Sequence, residues 1–309
     1  MKKLLKNWNI GNVSTIEPIS SYWGKTSLVT TADGKYFILK EKQSLYKAKQ
    51  EFNLLSNLSN SGAPVAIPIC PIGGDHYLLV DGKTYCLYPK LPGKAIEEHY
   101  AGDATARAKS FGNAVAFLHS CLLKSESISG IPELKLIEQI QEWAIPCIRK
   151  NGEVVDGYAV EETWNTFERG MVQLEDDLPK QLIHRDLHPA NMLFENGRLT
   201  GFIDFDMIVS GFRIFDVCYC ATSILVGGFQ DSAKREKWSD ILYALVDGYQ
   251  EMCPLSLIEL QAIPGTLAAI ELLFMAFGLE TQAEGAAKCN ASVLDWLSRN
   301  KERYLLNES

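Results

Sequence analysis

A chain of 309 residues can bury a substantial core, and its length favours two lobes over one compact layer. It is 47% apolar and 22% charged, with both signs interspersed, which excludes a disordered polyelectrolyte. The net charge of −8 speaks against a nucleic-acid surface, because neutralising phosphates takes clustered Lys and Arg.

No apolar h-region follows the lysines of Met1 to Lys6, so no signal peptide is read. Apolar stretches such as Leu267 to Leu279 are interrupted by Glu271 and too short to cross a bilayer, so no membrane partner is expected. The eight cysteines, Cys70, Cys86, Cys121, Cys147, Cys218, Cys220, Cys253 and Cys289, form no C-x-x-C pair. They read as reduced, buried thiols of a cytoplasmic protein, with zinc as the alternative.

In chain order, Val13 to Val29 predicts strand, polar loop and strand, and Asp33-Gly34 the tight turn before a returning strand Tyr36 to Lys40. Ser44 suits an N-cap. Leu45, Ala48, Phe52, Leu55 and Leu58 recur at helical spacing up to a stop at Gly62, placing Glu51 on that helix. Strands His76 to Val80 and Thr84 to Tyr88 follow, joined by Asp81-Gly82. Beyond Gly93 the pattern turns helical: Thr105 to His119, Leu134 to Trp143, Trp238 to Met252 and Leu255 to Gly278. One β-rich island interrupts it at Gln181 to Ile183, Met192 to Phe194 and Leu199 to Asp204, with Asn196-Gly197 as a turn. The lobe boundary is placed near Lys90, giving 1–90 and 91–309.

The chemistry concentrates in His184-Arg185-Asp186-Leu187-His188-Pro189-Ala190-Asn191, followed by Asp204-Phe205-Asp206. Phosphoryl transfer needs a carboxylate to accept or orient the attacking hydroxyl and oxygen ligands to hold Mg²⁺ against the polyphosphate. At this spacing Asp186 is the candidate base, and Asn191 and Asp204 are the candidate Mg²⁺ ligands. A plain surface loop and a strand-end turn cap would explain the residues separately. They would not explain an Asp204 set in an apolar strand between Ile203 and Phe205, which needs a cation to offset its desolvation.

Lys40, at the end of an apolar strand, pairs in this reading with Glu51, as the strand lysine and helix glutamate that position the phosphates of ATP. Ser20 to Lys25 occupies the place of a phosphate-covering loop but holds one glycine, so Ser21 and Gly24 are its candidate contacts.

Taken together, His184-x-Asp186-Leu187-His188-Pro189-Ala190-Asn191, Ile203-Asp204-Phe205-Asp206 and Phe215-Asp216 resemble the aminoglycoside phosphotransferase and choline kinase superfamily, which includes homoserine kinases and spore-coat-associated kinase-like proteins. The resemblance implies an α+β, bilobal protein-kinase-like fold: a small antiparallel-sheet N-lobe with one helix for the nucleotide, and a larger, mainly helical C-lobe for catalysis and the acceptor. It makes Tyr88 to Gly93 the hinge for adenine, with Tyr88, Pro89 through its carbonyl and Leu91 as N–H donor in contact. Asp216 would orient the catalytic loop, or merely cap a helix. His184, His188 and Asp206 are supporting residues, and His119 is given no chemistry.

Asp206 and Asp216 are too close for a protein-kinase activation segment, so the acceptor is a small-molecule hydroxyl and not a protein. The alternative is a non-catalytic nucleotide-binding or coat-type structural protein that keeps the fold, suggested by the atypical phosphate loop.

Overall fold

The structure is a computed structural model that describes residues 1–19, 24–125 and 128–305. Its contacts divide it into two units: Met1–Lys94 with Lys124–Gly130 and Leu193–Asp206, and Ala95–Leu123 with Ile131–Met192 and Met207–Ser309.

The first unit opens with a short helix α1 (Lys2–Leu5), then strands β1 (Val13–Ile19), β2 (Thr26–Thr31) and β3 (Tyr36–Lys42), helix α2 (Leu45–Asn60), and strands β4 (Leu78–Val80) and β5 (Lys83–Pro89). The strands form one antiparallel sheet in the order β1-β2-β3-β5-β4. Its apolar face buries Val29, Phe37, Leu39 and Leu87 against Leu5, Trp8 and Ile10 of the N-terminal segment. Ser44 caps α2 by accepting the Lys47 N–H. At the other end Gly62, at φ +93°, lets the N–H groups of Gly62 and Ala63 reach back to Ser59 and Leu58, a Schellman close.

Strand β3 runs two residues further than the apolar pattern predicted, to Lys42. Because strand side chains alternate, Lys40 and Lys42 share a face. This extension matters for the site.

The second unit carries helix α3 (Ala104–Leu123), α4 (Leu136–Gln139) continuing through a π-turn (Ile140–Ala144) into α5 (Ile145–Lys150), α6 (Gly157–Leu174) and strand β6 (Lys180–Ile183). The chain then crosses the segment 184–191 into β7 (Met192–Glu195) and β8 (Arg198–Phe202), a hairpin whose Asn196 and Gly197 both have positive φ, as a type I′ turn requires. From Leu193 the hairpin belongs to the first unit: Phe194 exchanges backbone bonds with Lys94, and the Phe202 N–H donates to the Pro64 carbonyl. Gly93 makes this docking possible, since a Cβ there would meet Thr200 Oγ1 at 2.3 Å.

Strand β9 (Val209–Phe212) returns to pair antiparallel with β6. Helices α7 (Ile214–Gly228), α8 (Ser232–Gln250), α9 (Leu257–Glu280) and α10 (Glu284–Arg299) complete the second unit. Helix α9 runs well beyond the stretch Leu267 to Leu279, so it is longer than expected and, by length and composition alone, could cross a bilayer. In its most apolar window, 89% of it is buried inside the protein, packed on α6, α7 and α10. It is the core helix of this unit.

Candidate active site

In the first unit, five charged side chains converge from helix α2, strand β3 and the segment after β8. Glu51 on α2 is 8% exposed, and its Oε2 receives the Lys42 ammonium at 2.9 Å and the Tyr88 hydroxyl at 2.6 Å. Lys42 also pairs with Asp206. Lys40 instead reaches Asp204 Oδ1 at 2.8 Å and Asp206 Oδ2 at 3.5 Å.

The expected Lys40–Glu51 pair is therefore corrected: the glutamate's lysine is Lys42. The physical reason is burial. Side-chain exposure falls from 20% at Lys40 to 3% at Lys42, and the deeper ammonium is the one that cannot go without the buried carboxylate.

Electrostatics follow the geometry. Burial pulls the Lys42 ammonium down, but the Glu51 and Asp206 carboxylates outweigh it and hold it above the ordinary lysine value. Lys40 is raised in the same way, with Asp206 and Asp204 opposing burial. Burial would raise the Asp206 carboxyl, yet Lys42 and Lys40 bring it down to about 2. Burial pushes the neighbouring Cys86 thiol up to about 12, leaving it inert.

Asp204 lies past the end of β8 at φ +67°, with its side chain 44% exposed. The expectation of a carboxylate set within an apolar strand is thus corrected. A non-glycine residue held in left-handed backbone marks a position where the surroundings impose the shape, as functional turns often do.

Of the remaining candidates in this unit, Gly24 sits at φ +67°, where a Cβ would meet the Glu41 carbonyl at 2.4 Å, so only glycine fits. Ser21 lies outside the described residues. Pro89 ends β5 and is exposed, and Leu91 packs against Gly201 of the hairpin. Tyr88 turns its hydroxyl inward to Glu51.

The second unit holds a different arrangement. Asp216, in the first turn of α7 and fully buried, accepts the backbone N–H of His184 at 2.7 Å and of Arg185 at 2.8 Å. Arg185 has φ +67°, which turns successive N–H groups toward one carboxylate, an anion-holding nest. His119 Nε2 lies 3.0 Å from Asp216 and His119 Nδ1 2.9 Å from the Tyr249 hydroxyl. That network assigns Nε2–H as donor to the carboxylate and Nδ1 as acceptor from the phenol. His119 thus supports the loop through Asp216, a connection that its place on an apolar helix did not reveal.

The same loop presents Asp186 with both oxygens engaged. Asn191, in a 3₁₀ turn (Pro189–Asn191), donates through Nδ2 to the Asp186 carbonyl at 2.7 Å and to Oδ2 at 3.1 Å. Tyr219 of α7 donates its hydroxyl to Oδ1 at 2.9 Å. His188 Nε2 stands 3.9 Å from Asp186 Oδ1, edge-on to the Tyr219 ring. Burial foremost, then the nearby carboxylate, push the Tyr219 phenol well up, so it is a permanent donor. Sequence reading missed Tyr219, because a tyrosine among Val217, Cys218 and Cys220 looks like core.

A small antiparallel sheet with the helix α2, joined in sequence to a larger helical unit, defines a kinase-like fold. The chain belongs to the phosphotransferase enzyme family, whose pattern matches residues 15–255. It is similar to the homoserine kinase of Phenylobacterium zucineum (strain HLK1), 24% identical over 277 residues that cover 85% of this chain and 79% of that one. The homoserine kinase of Mesorhizobium japonicum is 25% identical, covering 88% and 82%.

Among solved structures, a microcompartment-associated aminopropanol kinase shares the fold with a TM-score of 0.73 at 16% identity, covering 98% of each chain. An amicoumacin kinase, hAmiN, in complex with AMP-PNP, Ca²⁺ and Ami, shares it with a TM-score of 0.72 at 17% identity, covering 97% of this chain and 91% of that one.

Proposed function

We propose that this phosphotransferase, which acts on a hydroxyl of a small molecule, takes the γ-phosphoryl group from ATP with Mg²⁺ and delivers it to an amino alcohol. What carries the reading is Asp186, held by Asn191 and Tyr219 at the head of a loop that Asp216 fixes through two backbone N–H groups. In this reading Asp186 orients the acceptor hydroxyl and takes its proton as the oxygen attacks the γ-phosphorus. The bond to the β-phosphate oxygen breaks, and ADP leaves with that electron pair.

The residues fit the nucleotide and its ion. Mg²⁺ prefers one or two carboxylates plus phosphates and water to an all-protein cage, and Asp204 with the adjoining Asp206 amounts to that hard-oxygen donor set, while Asn191 is proposed as a ligand from its sequence spacing alone. When bound, the ion neutralises charge on the polyphosphate. Lys42, locked by Glu51, and the more exposed Lys40 are the ammonium groups for the phosphates. The first unit is assigned to the nucleotide and the second to the acceptor. Eight cysteines, all without disulfides, suit a reducing compartment such as the cytoplasm.

The test is Mg²⁺-dependent ADP formation across homoserine, aminopropanol, choline, sugars and aminoglycosides. Turnover on an amino alcohol is expected. Bound ATP with no ADP formed on any acceptor overturns the reading in favour of a nucleotide-binding protein without catalysis.

A further inference from the structure

Helix α9 is apolar almost throughout, yet carries one carboxylate in its middle turns, Glu271, at 1% exposure between Ile270 and Leu272. Its Oε2 has no hydrogen-bond partner among the described residues. Burying a carboxyl without a partner costs free energy that Leu or Met would avoid, so its presence needs a reason.

No neighbour supplies one. The titratable groups that sense its charge include Tyr219 on α7 and Cys289 on α10. The Tyr219 hydroxyl is already given to Asp186, and a thiol is a weak donor. Burial alone pushes the Glu271 carboxyl well above the usual range, with no cation offsetting it.

Position supplies what the neighbours do not. One turn along α9, Phe274 stacks face to face on Tyr219, with centroids 5.1 Å apart and planes 1° from parallel. Tyr219 thus touches Asp186 at its hydroxyl, lies against Phe274 at its ring and feels the Glu271 carboxyl. Phe274, one turn from Glu271 on the same helix, is only half-buried, as is Cys289 of α10. A carboxyl one helical turn from a stacked aromatic pair offers the two features that recognise a primary ammonium, a charge-assisted acceptor and π-faces.

We infer that Glu271 is the counter-ion for the ammonium group of the acceptor, so that the enzyme selects primary amino alcohols over diols and sugars. This rests on the phosphotransferase reading above and names its substrate class. The hydroxyl end of the acceptor is read at Asp186 and the ammonium end at Glu271.

The experiment measures binding to the full-length protein with AMP-PNP and Mg²⁺ present, using ethanolamine, aminopropanol and homoserine, each against the diol of the same skeleton. Amino alcohols bind and the diols bind at least about tenfold more weakly, the range expected for a charge-assisted hydrogen bond. Glu271→Gln weakens the amino alcohols by about 10- to 100-fold and leaves the diols and AMP-PNP unchanged. Glu271→Leu does the same while keeping or raising the melting temperature.

Three results would overturn the inference: no amino alcohol binds the wild type, diols bind as tightly, or Glu271→Gln weakens both classes equally. If amino alcohols bind through Glu271 but no ADP forms with any, the phosphotransfer reading fails and the ammonium site stands.

Discussion

The two halves of the chemistry are held in opposite ways. In the first unit, carboxylates are balanced by lysines: Glu51 by Lys42, Asp204 by Lys40, and Asp206 by both. In the second, Asp186 and Asp216 are held by donors fixed in place, which are backbone N–H groups, an amide, a phenol and an imidazole. A lysine on a flexible stem can exchange one anion for another, so the first cluster suits a phosphate that comes and goes. Hydrogen-bond donors on short, packed side chains cannot move without cost, so the second suits a base that must already be oriented when the acceptor arrives.

The largest test of that contrast lies in Asp186. Asp186→Ala should lower turnover by roughly 10²–10⁴ while ATP affinity stays as it is, measured by steady-state kinetics and nucleotide titration. Equal losses in both quantities would mean that the loop also shapes the nucleotide site, and the division between the halves would break.

Next come the two lysines, which separate burial from ligand contact. Lys42→Met strips the partner from Glu51 and Asp206 where side-chain exposure is 3%, and should cost about 3–5 kcal/mol in urea unfolding. Lys40→Met, at 20% exposure, should cost about 1 kcal/mol or less and act chiefly by raising the KM for ATP. Reversed magnitudes would restore Lys40 as the structural lysine.

That pair also shows where sequence reading stopped. The five strands, their order of appearance, helix α2 and its cap, and the Asp186, Asn191, Asp204 spacing are all legible, because turn residues and period-2 or period-3.6 patterns announce them. The strand-end lysine was misassigned because the apolar run ends at Leu39, while the ladder continues through Glu41 to Lys42, paired with Thr84. Hydrogen bonding carries a strand past its apolar pattern wherever a partner strand extends.

Helix α7 went unread for the converse reason: Ile214 to Cys220 is apolar on nearly every side, so no period marks it. With α7 hidden, Tyr219 could not be aimed at Asp186. Nor could His119 be linked to Asp216, since 97 residues separate them and only the fold brings them to 3.0 Å. Helix α10, with Ala287, Val293, Leu294 and Leu297 on its buried face, did carry a readable period.

An acid titration of wild type against Asp206→Asn isolates one carboxylate of the lysine-balanced half. Asp206 has its carboxyl at about 2 when folded against an ordinary 3.8, so its contribution is full above about pH 4 and is lost as the pH falls through 2. The difference corresponds to about 2 kcal/mol. Asp206→Asn should flatten the unfolding free energy across that window while leaving the steeper loss from other carboxylates.

The smallest effect discriminates most finely. Tyr219→Phe keeps the ring stacked on Phe274 and removes only the hydroxyl bonded to Asp186 Oδ1. A phenol's hydrogen bond to a charged carboxylate is worth about 1.5 kcal/mol at the low end, so kcat should fall about tenfold. The KM for ATP should not change, because the lysine-balanced cluster is untouched. A fall in kcat with constant KM places the phenol's contribution in the transition state, as a group that holds the base in its working orientation. A variant with wild-type kcat would show instead that Asn191 and the loop backbone suffice to hold Asp186, and that the phenol merely satisfies a lone pair that water could satisfy as well.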